Sequence, residues 1–274
     1  DLAKACSAAA TWVVAAATVS FQQPAEILSH NGVLSATLVG MKAVNRIGDD
    51  PVYLRSYNGA LVGPTLRAKP GDVLRIVVRN DLAPEATEPG EMNTLHAFNT
   101  MNLHTHGLHV SPSGISDNVL LEIPPRSSQD YEIHIPKDHP AGTYWYHPHK
   151  HGSTAAQVSS GMAGALIVTG GLDEVTEIKD ATERVLVFQQ IAYVNKVKDA
   201  QGNERTLPYG VIEQEYEDLI FGPGDWEALG RFTTINGIKL PVFRVQPGSV
   251  ERWRMIHAGI RESISLTLER APAR

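Results

Sequence analysis

Leu103-His104-Thr105-His106-Gly107-Leu108-His109 and Trp145-Tyr146-His147-Pro148-His149-Lys150-His151-Gly152 hold six of the eleven histidines of the chain. Each stretch carries a His-x-His pair beside β-prone residues. On a strand, side chains at i and i+2 point to one face. His104 and His106 therefore project together, as do His147 and His149. If the two strands are neighbours in one sheet, four imidazoles converge. Imidazole suits copper, zinc, iron and nickel, and among divalent first-row metals a nitrogen site binds copper tightest. One such pair alone is as readily a pair of surface or core histidines. Two pairs on strand-like segments point to metal binding, to more than one ion or to half of a larger cluster.

Outward from these stretches the pattern is β. Val73-Leu74-Arg75-Ile76-Val77-Val78 is a clear apolar run, and Leu34-Ser35-Ala36-Thr37-Leu38-Val39 alternates imperfectly. The 23 glycines and 17 prolines punctuate short segments throughout. Short strands separated by turn signals predict sandwiches or barrels. An internal repeat sharpens this. Asn58-Gly59 leads to Pro64, Arg67, Pro70-Gly71, Val73 and Arg75. Asn236-Gly237 leads to Pro241, Arg244, Pro247-Gly248, Val250 and Arg252. Self-similarity at that distance means two copies of one domain, each a strand, a Pro-Gly turn and another strand.

Composition sets limits on the rest. With 274 residues, 42% hydrophobic and 20% charged, the chain has room for one large or two ordinary cored domains. A net charge of −6 without a basic run argues against nucleic acid and anionic membrane as partners. The single cysteine, Cys6, allows no internal disulfide and has no neighbouring histidine. A blue-copper site needs a Cys thiolate with two histidines, so none is visible. Residues 1–21 read as a tail, in which Ser7 to Phe21 is Ala-rich, apolar and similar to the core of a secretory signal. That reading implies export to the periplasm or outside the cell. Gly170 to Glu183 is polar and acidic and reads as a linker, and Lys198 to Leu207 as a polar loop. Gln214 to Ala228 reads as an acidic surface loop or short helix, and Glu213, Glu215, Glu217 and Asp218 are assigned no chemistry.

Leu-His-Thr-His-Gly-Leu-His followed by Gly-Thr-Tyr-Trp-Tyr-His-Pro-His-Lys-His-Gly resembles the first two copper motifs of the multicopper oxidases, the laccase-like enzymes. Gly161-Met162-Ala163-Gly164-Ala165-Leu166-Ile167-Val168 is similar to the strand that follows. The resemblance runs from Asn58 to Val168, and more weakly to about Leu268. It implies an all-β fold of tandem cupredoxin-like Greek-key barrels. Residues 22–170 would form the first barrel with the copper ligands, 171–183 a linker, and 184–274 a second, incomplete barrel without a metal site. The strand-like Ile264-Ser265-Leu266-Thr267-Leu268 falls where a first His-x-His would lie in that second barrel and carries none.

By position, the resemblance implies that His104 binds a type 2 copper and that His106, His147 and His149 bind a type 3 pair. Together they would supply half the ligands of a trinuclear cluster that reduces dioxygen to water. The remaining ligands and the type 1 copper are expected from a C-terminal cupredoxin domain or a partner chain. That domain would take electrons from a phenol, an aromatic amine or a metal ion. The chain then reads as the N-terminal part of an exported oxidase, inactive in isolation. Asp117 resembles a family aspartate that hydrogen-bonds solvent near the type 2 copper and helps deliver protons; an Asp-Asn turn beside Gly114 would suit it equally. Pro148 stands where copper nitrite reductases carry Cys, which argues against that enzyme. His109 and His151 share parity with the ligands but are not ligand positions in the family pattern. His30, His96, His134, His139 and His257 read as structural or exposed, and Trp145 and Tyr146 as core packing. Two rivals are a non-enzymatic copper-binding module and a zinc hydrolase using His-x-His with Asp117.

Overall fold

The structure, a computed structural model, describes residues 19–85, 94–199, 201–212, 226 and 231–269. Cys6, Glu213, Glu215, Glu217, Asp218 and most of the two segments expected to be an export signal and an acidic loop lie outside these residues. Among the described residues no helix is long and apolar enough to cross a membrane.

The first copy is a sandwich of two sheets. One contains β2 (Val33–Ile47), β3 (Asp50–Tyr57), β5 (Val73–Asn80) and β7 (Ser127–His134). The other runs β1 (Glu26–Leu28), β4 (Thr65–Ala68), β9 (Gly164–Val168), β8 (Gly142–His147) and β6 (His104–His106). Alternation explains the core. Leu74, Ile76 and Val78 on β5 face Leu66, Tyr146, Leu166 and Val168 in one buried apolar cluster, while Arg75, Val77 and Arg79 between them face outward. Burying each such side chain contributes about 1.5–3 kcal/mol. Gly164 sits directly opposite Tyr146, where a Cβ would lie 2.3 Å from the buried phenol ring.

The second copy repeats the first in register. It consists of β10 (Thr182–Gln189), β13 (Thr234–Ile235) and β14 (Glu251–His257). Thr182 pairs with Glu251 as Leu34 pairs with Leu74, and Phe188 pairs with Ile235 as Gly40 pairs with Tyr57. The Asn-Gly turns are the same device. Asn58 and Asn236 both adopt φ 53°, a conformation that asparagine tolerates and most residues do not. The Val39 N–H donates to Asn58 Oδ1 at 2.7 Å, and the Val187 N–H donates to Asn236 Oδ1 at 2.8 Å. Each asparagine amide also donates to the strand residue two positions earlier, Thr37 or Val185. The side chain thus completes the ladder where the turn leaves it.

The N-terminal arm serves both copies. Thr65 donates to the Ala25 carbonyl at 2.7 Å, and Val242, at the matching position of the second copy, donates to the Val19 carbonyl at 2.8 Å. Residues 19–21, expected in a tail, therefore pair with the second copy, and Phe21 stacks on Phe243 at 4.6 Å.

Three other expectations meet a different structure. Lys198 to Leu207 is the tip of a hairpin rather than a loop. β11 (Tyr193–Lys198) and β12 (Glu204–Ile212) extend the sheet of the first copy beyond β3. The Tyr193 hydroxyl and the Asn195 amide anchor the hairpin by donating to Asp50. The acidic linker contains a 3-10 turn (Gly171–Glu174) and a short helix (Thr176–Lys179). Its carboxylates join the copies: Asp173 accepts from Arg252 and Arg254, and Glu183 accepts from Arg67 and Arg254. Ile264–Leu268 forms no strand, and Leu266 and Leu268 are exposed. Without a neighbouring strand to take its backbone groups, a β-prone sequence has nothing to pair with.

Candidate metal centre

Register places the histidines. β6 and β8 pair antiparallel with His104 opposite His147 and His106 opposite Trp145. These four side chains form one block on the outer face of the sheet, while Thr105 and Tyr146 turn inward and are buried. The expected convergence is therefore present. His104, His106 and His147 each offer a ring nitrogen within 4.8 Å of the others. His149 lies just past the end of β8, with its ring centre 5.2 Å from that of His104 and 5.8 Å from that of His147.

Hydrogen bonds fix two of the tautomers. His104 Nδ1 lies 3.1 Å from both oxygens of Asp117, and His147 Nδ1 lies 2.8 Å from the Pro148 carbonyl. Carboxylate and carbonyl oxygens only accept, so both Nδ1 atoms carry hydrogen and both Nε2 atoms present lone pairs. A ligating histidine is typically oriented in this way. His147 Nε2 faces His106 Nδ1 at 3.3 Å. Two nitrogens bound at ~2.0–2.1 Å to one tetrahedral ion would stand about 3.3 Å apart, so this pair matches the span of a shared ion. The buried His149 Nδ1 has no hydrogen-bond partner among the described residues, which leaves it a free coordination or donor position.

Electrostatics favour the neutral form of three of the rings. Burial pushes His147 down to about 3, opposed by the Pro148 carbonyl and helped by the imidazoles of His104, His106 and His149. Burial also lowers His106 and His149; His104 adds to the fall at His106, and at His149 it does so against a backbone hydrogen bond that raises it. A metal competes with protons for these lone pairs, and rings that resist protonation bind metal over a wider pH range. Nitrogen donors without a thiolate suit copper or zinc.

Asp117 is buried and accepts from Thr105 N–H at 2.8 Å as well as from His104. Its loop is a turn, as the Asp-Asn signal implied, and the turn delivers the carboxylate to His104. His109 leaves the cluster because β6 ends at His106 and Gly107 takes φ 90°. Its backbone N–H donates to the buried His139, whose other nitrogen meets the Pro140 carbonyl, so His139 is structural. His151 lies beside His149, with ring centres 5.7 Å apart. His134 bonds Glu132, His257 the Glu262 carbonyl and His96 the Thr94 carbonyl. Tyr146 is buried with its hydroxyl donating to the Pro64 carbonyl, as expected of core packing. Trp145 is only half-buried and stacks on the histidines.

Sequence reasoning missed Asn102. This buried side chain accepts from the His149 N–H at 2.6 Å and donates to the Val119 carbonyl at 2.7 Å, clamping the second motif to the Asp117 loop. An asparagine before a strand carries no signal of that role.

Residues 91–172 match the family model described as multicopper oxidase. A multicopper oxidase of Staphylococcus haemolyticus is 32% identical over 112 residues, covering 41% of this chain and 21% of that protein. A laccase of Podospora anserina is 28% identical over 241 residues, covering 85% of this chain and 33% of that protein. The solved structure of a bacterial laccase-like multicopper oxidase from Ochrobactrum sp. superposes with a TM-score of 0.58 at 26% identity, covering 87% of this chain and 47% of that one. The chain thus spans a fifth to a third of these curated relatives. Over residues 91–172 the chain is similar to the multicopper oxidase family, and its sequence relatives and cupredoxin-like fold point the same way.

Proposed function

We propose that this chain supplies half of the histidine ligands of a trinuclear copper cluster in an exported multicopper oxidase. The observation that carries this reading is the meeting of His104, His106 and His147 nitrogens within 4.8 Å on one sheet face. His104 would hold the single type 2 ion, and His106, His147 and His149 would hold the type 3 pair. Bound copper would supply the electron transfer that reduces dioxygen to water, drawing on a phenol, an aromatic amine or a metal ion as donor. The facing ligands and the type 1 site come from a further cupredoxin domain or a partner chain.

The residues of this chain prepare the site. Asp117 and the Pro148 carbonyl hold protons on the far nitrogens of His104 and His147, so that both rings present Nε2 to metal. Asn102 fixes His149 relative to the Asp117 loop. The Asp117 carboxylate, beside His104, is also the group best placed to accept and pass protons toward the reduced oxygen.

The test is metal content after equilibration with copper and gel filtration. The chain retains at least one copper, His147→Ala loses it, and His139→Ala, which changes a structural histidine, keeps it. Equal retention by both variants would contradict the reading. The chain alone should oxidise phenols far below the rates of a complete oxidase.

A further inference from the structure

We propose that Trp145 is a positioning residue through which docking of the second copy sets the metal affinity of the His106–His147 pair. The inference rests on the metal-site reading above. Asp117 orients His104 and the Pro148 carbonyl orients His147. Among the described residues no carboxylate or carbonyl holds the His106 ring, which is exposed and stands on a strand of three residues. What it does have is Trp145. The indole stacks on His106 at 4.8 Å and 26° and on His147 at 4.2 Å and 23°. One rigid ring therefore aligns the two imidazoles whose nitrogens face each other.

Trp145 also packs on the cluster that joins the two copies. It packs against a cluster made of Ala163, Ala165 and Ile167 from the first copy and Val185, Val187, Ile256 and Ala258 from the second. The same strand is tied to β14 one step away, where Arg254 donates to the Thr143 hydroxyl at 3.0 Å. The indole is thus the common wall of the histidine face and the interface between copies. A packed wall of this kind has discrete arrangements rather than continuous play. If Ile256 is truncated, the cluster that backs the indole loosens and lets it tilt, and both imidazoles lose their alignment. By linkage, copper on the histidines must tighten the docking of the copies by the same factor.

The experiment uses the 274-residue chain, copper(II) as the only probe, a competing chelator to set the affinity, and tryptophan fluorescence as a second readout. Ile256→Ala, at a residue of the interface cluster outside the histidine group, raises the copper Kd about tenfold, in the range of supporting residues around metal ligands. Trp145→Ala raises it to a similar degree and removes most of the copper-induced quenching. Trp145→Phe, which still stacks, stays within about threefold. The double variant Ile256→Ala with Trp145→Ala is no worse than the worse single one, because both act through one ring. Ile76→Ala, an equal truncation in the core of the first copy, leaves the affinity unchanged. The proposal is overturned if folded Ile256→Ala binds copper like the wild type, or if Ile76→Ala weakens binding equally. Should Trp145→Ala fail to fold, the cycle is closed with Trp145→Leu, which fills the space but cannot stack, and a full tenfold loss from Ile256→Ala in that background would also overturn it. A wild-type chain that takes up no copper ends the metal-site reading itself, before any variant is compared.

Discussion

The two copies share a backbone and differ in which face is buried. Ile76 and Val78 of β5 lie in the core of the sandwich, while Val77 between them is 39% exposed. The matching residues of β14 invert this. Trp253 and Met255 are 38% and 48% exposed, and Arg254 between them is 4% exposed. In the first copy the sheet of β4, β9, β8 and β6 covers the inner face. In the second copy no such sheet is present among the described residues, and the other face is pressed onto the first copy. The Asn-Gly turn and strand register therefore specify the half-sheet by themselves. Which face becomes a core depends on what is laid against it. The histidines belong to the covering sheet, on its outer face, beside the place where the second copy docks.

The turns give the sharpest way to break this comparison. Asn236 is buried at 8% exposure, whereas Asn58 is exposed. Asn236→Ala leaves the Val187 N–H and Val185 carbonyl unpaired in a dry interface and should cost about 3 kcal/mol. Asn58→Ala removes the same bonds in reach of water and should cost only about 1 kcal/mol. Denaturant unfolding of both variants measures the difference, and equal losses would mean that burial does not separate the copies.

Acid provides the next test. Burial would raise Asp173 and Glu183, but bonds from the Gly170 N–H and Arg254 to Asp173, and from Arg67 and Arg254 to Glu183, leave both below their ordinary values. A carboxylate depressed in the folded state stabilises it above its unfolded pKa, and that stability is lost as pH falls through the folded value. The docked copies should therefore hold at neutral pH and loosen below the ordinary values of 3.8 and 4.5. Glu183→Gln should flatten that dependence in a pH series of melting temperatures. The smallest effect belongs to the arm. Phe21→Ala removes its stack on Phe243 and should cost about 1 kcal/mol, felt by the second copy. Hydrogen exchange should show faster exchange at Val242 than at Thr65.

The histidine block was legible because parity needs only the sequence: His104 with His106, and His147 with His149, share faces on any regular strand. The repeat was legible because Asn58-Gly59 and Asn236-Gly237 must bend the chain at positive φ. Other features depended on long-range contacts. Lys198 to Leu207 looks like a loop until Asp50 anchors its hairpin. Ile264 to Leu268 looks like a strand but finds no neighbour. His109 shares the right parity, but Gly107 turns it away. Trp145 had the same parity as His147 and lay opposite His106, yet its packing on the cluster between the copies could not be read from either motif.

The most direct measurement is anomalous diffraction at the copper edge from crystals of the chain equilibrated with copper. The account predicts a peak between His106 Nδ1 and His147 Nε2, about 2.0–2.1 Å from each. Copper found only at exposed histidines such as His134, with that gap left empty, would contradict it.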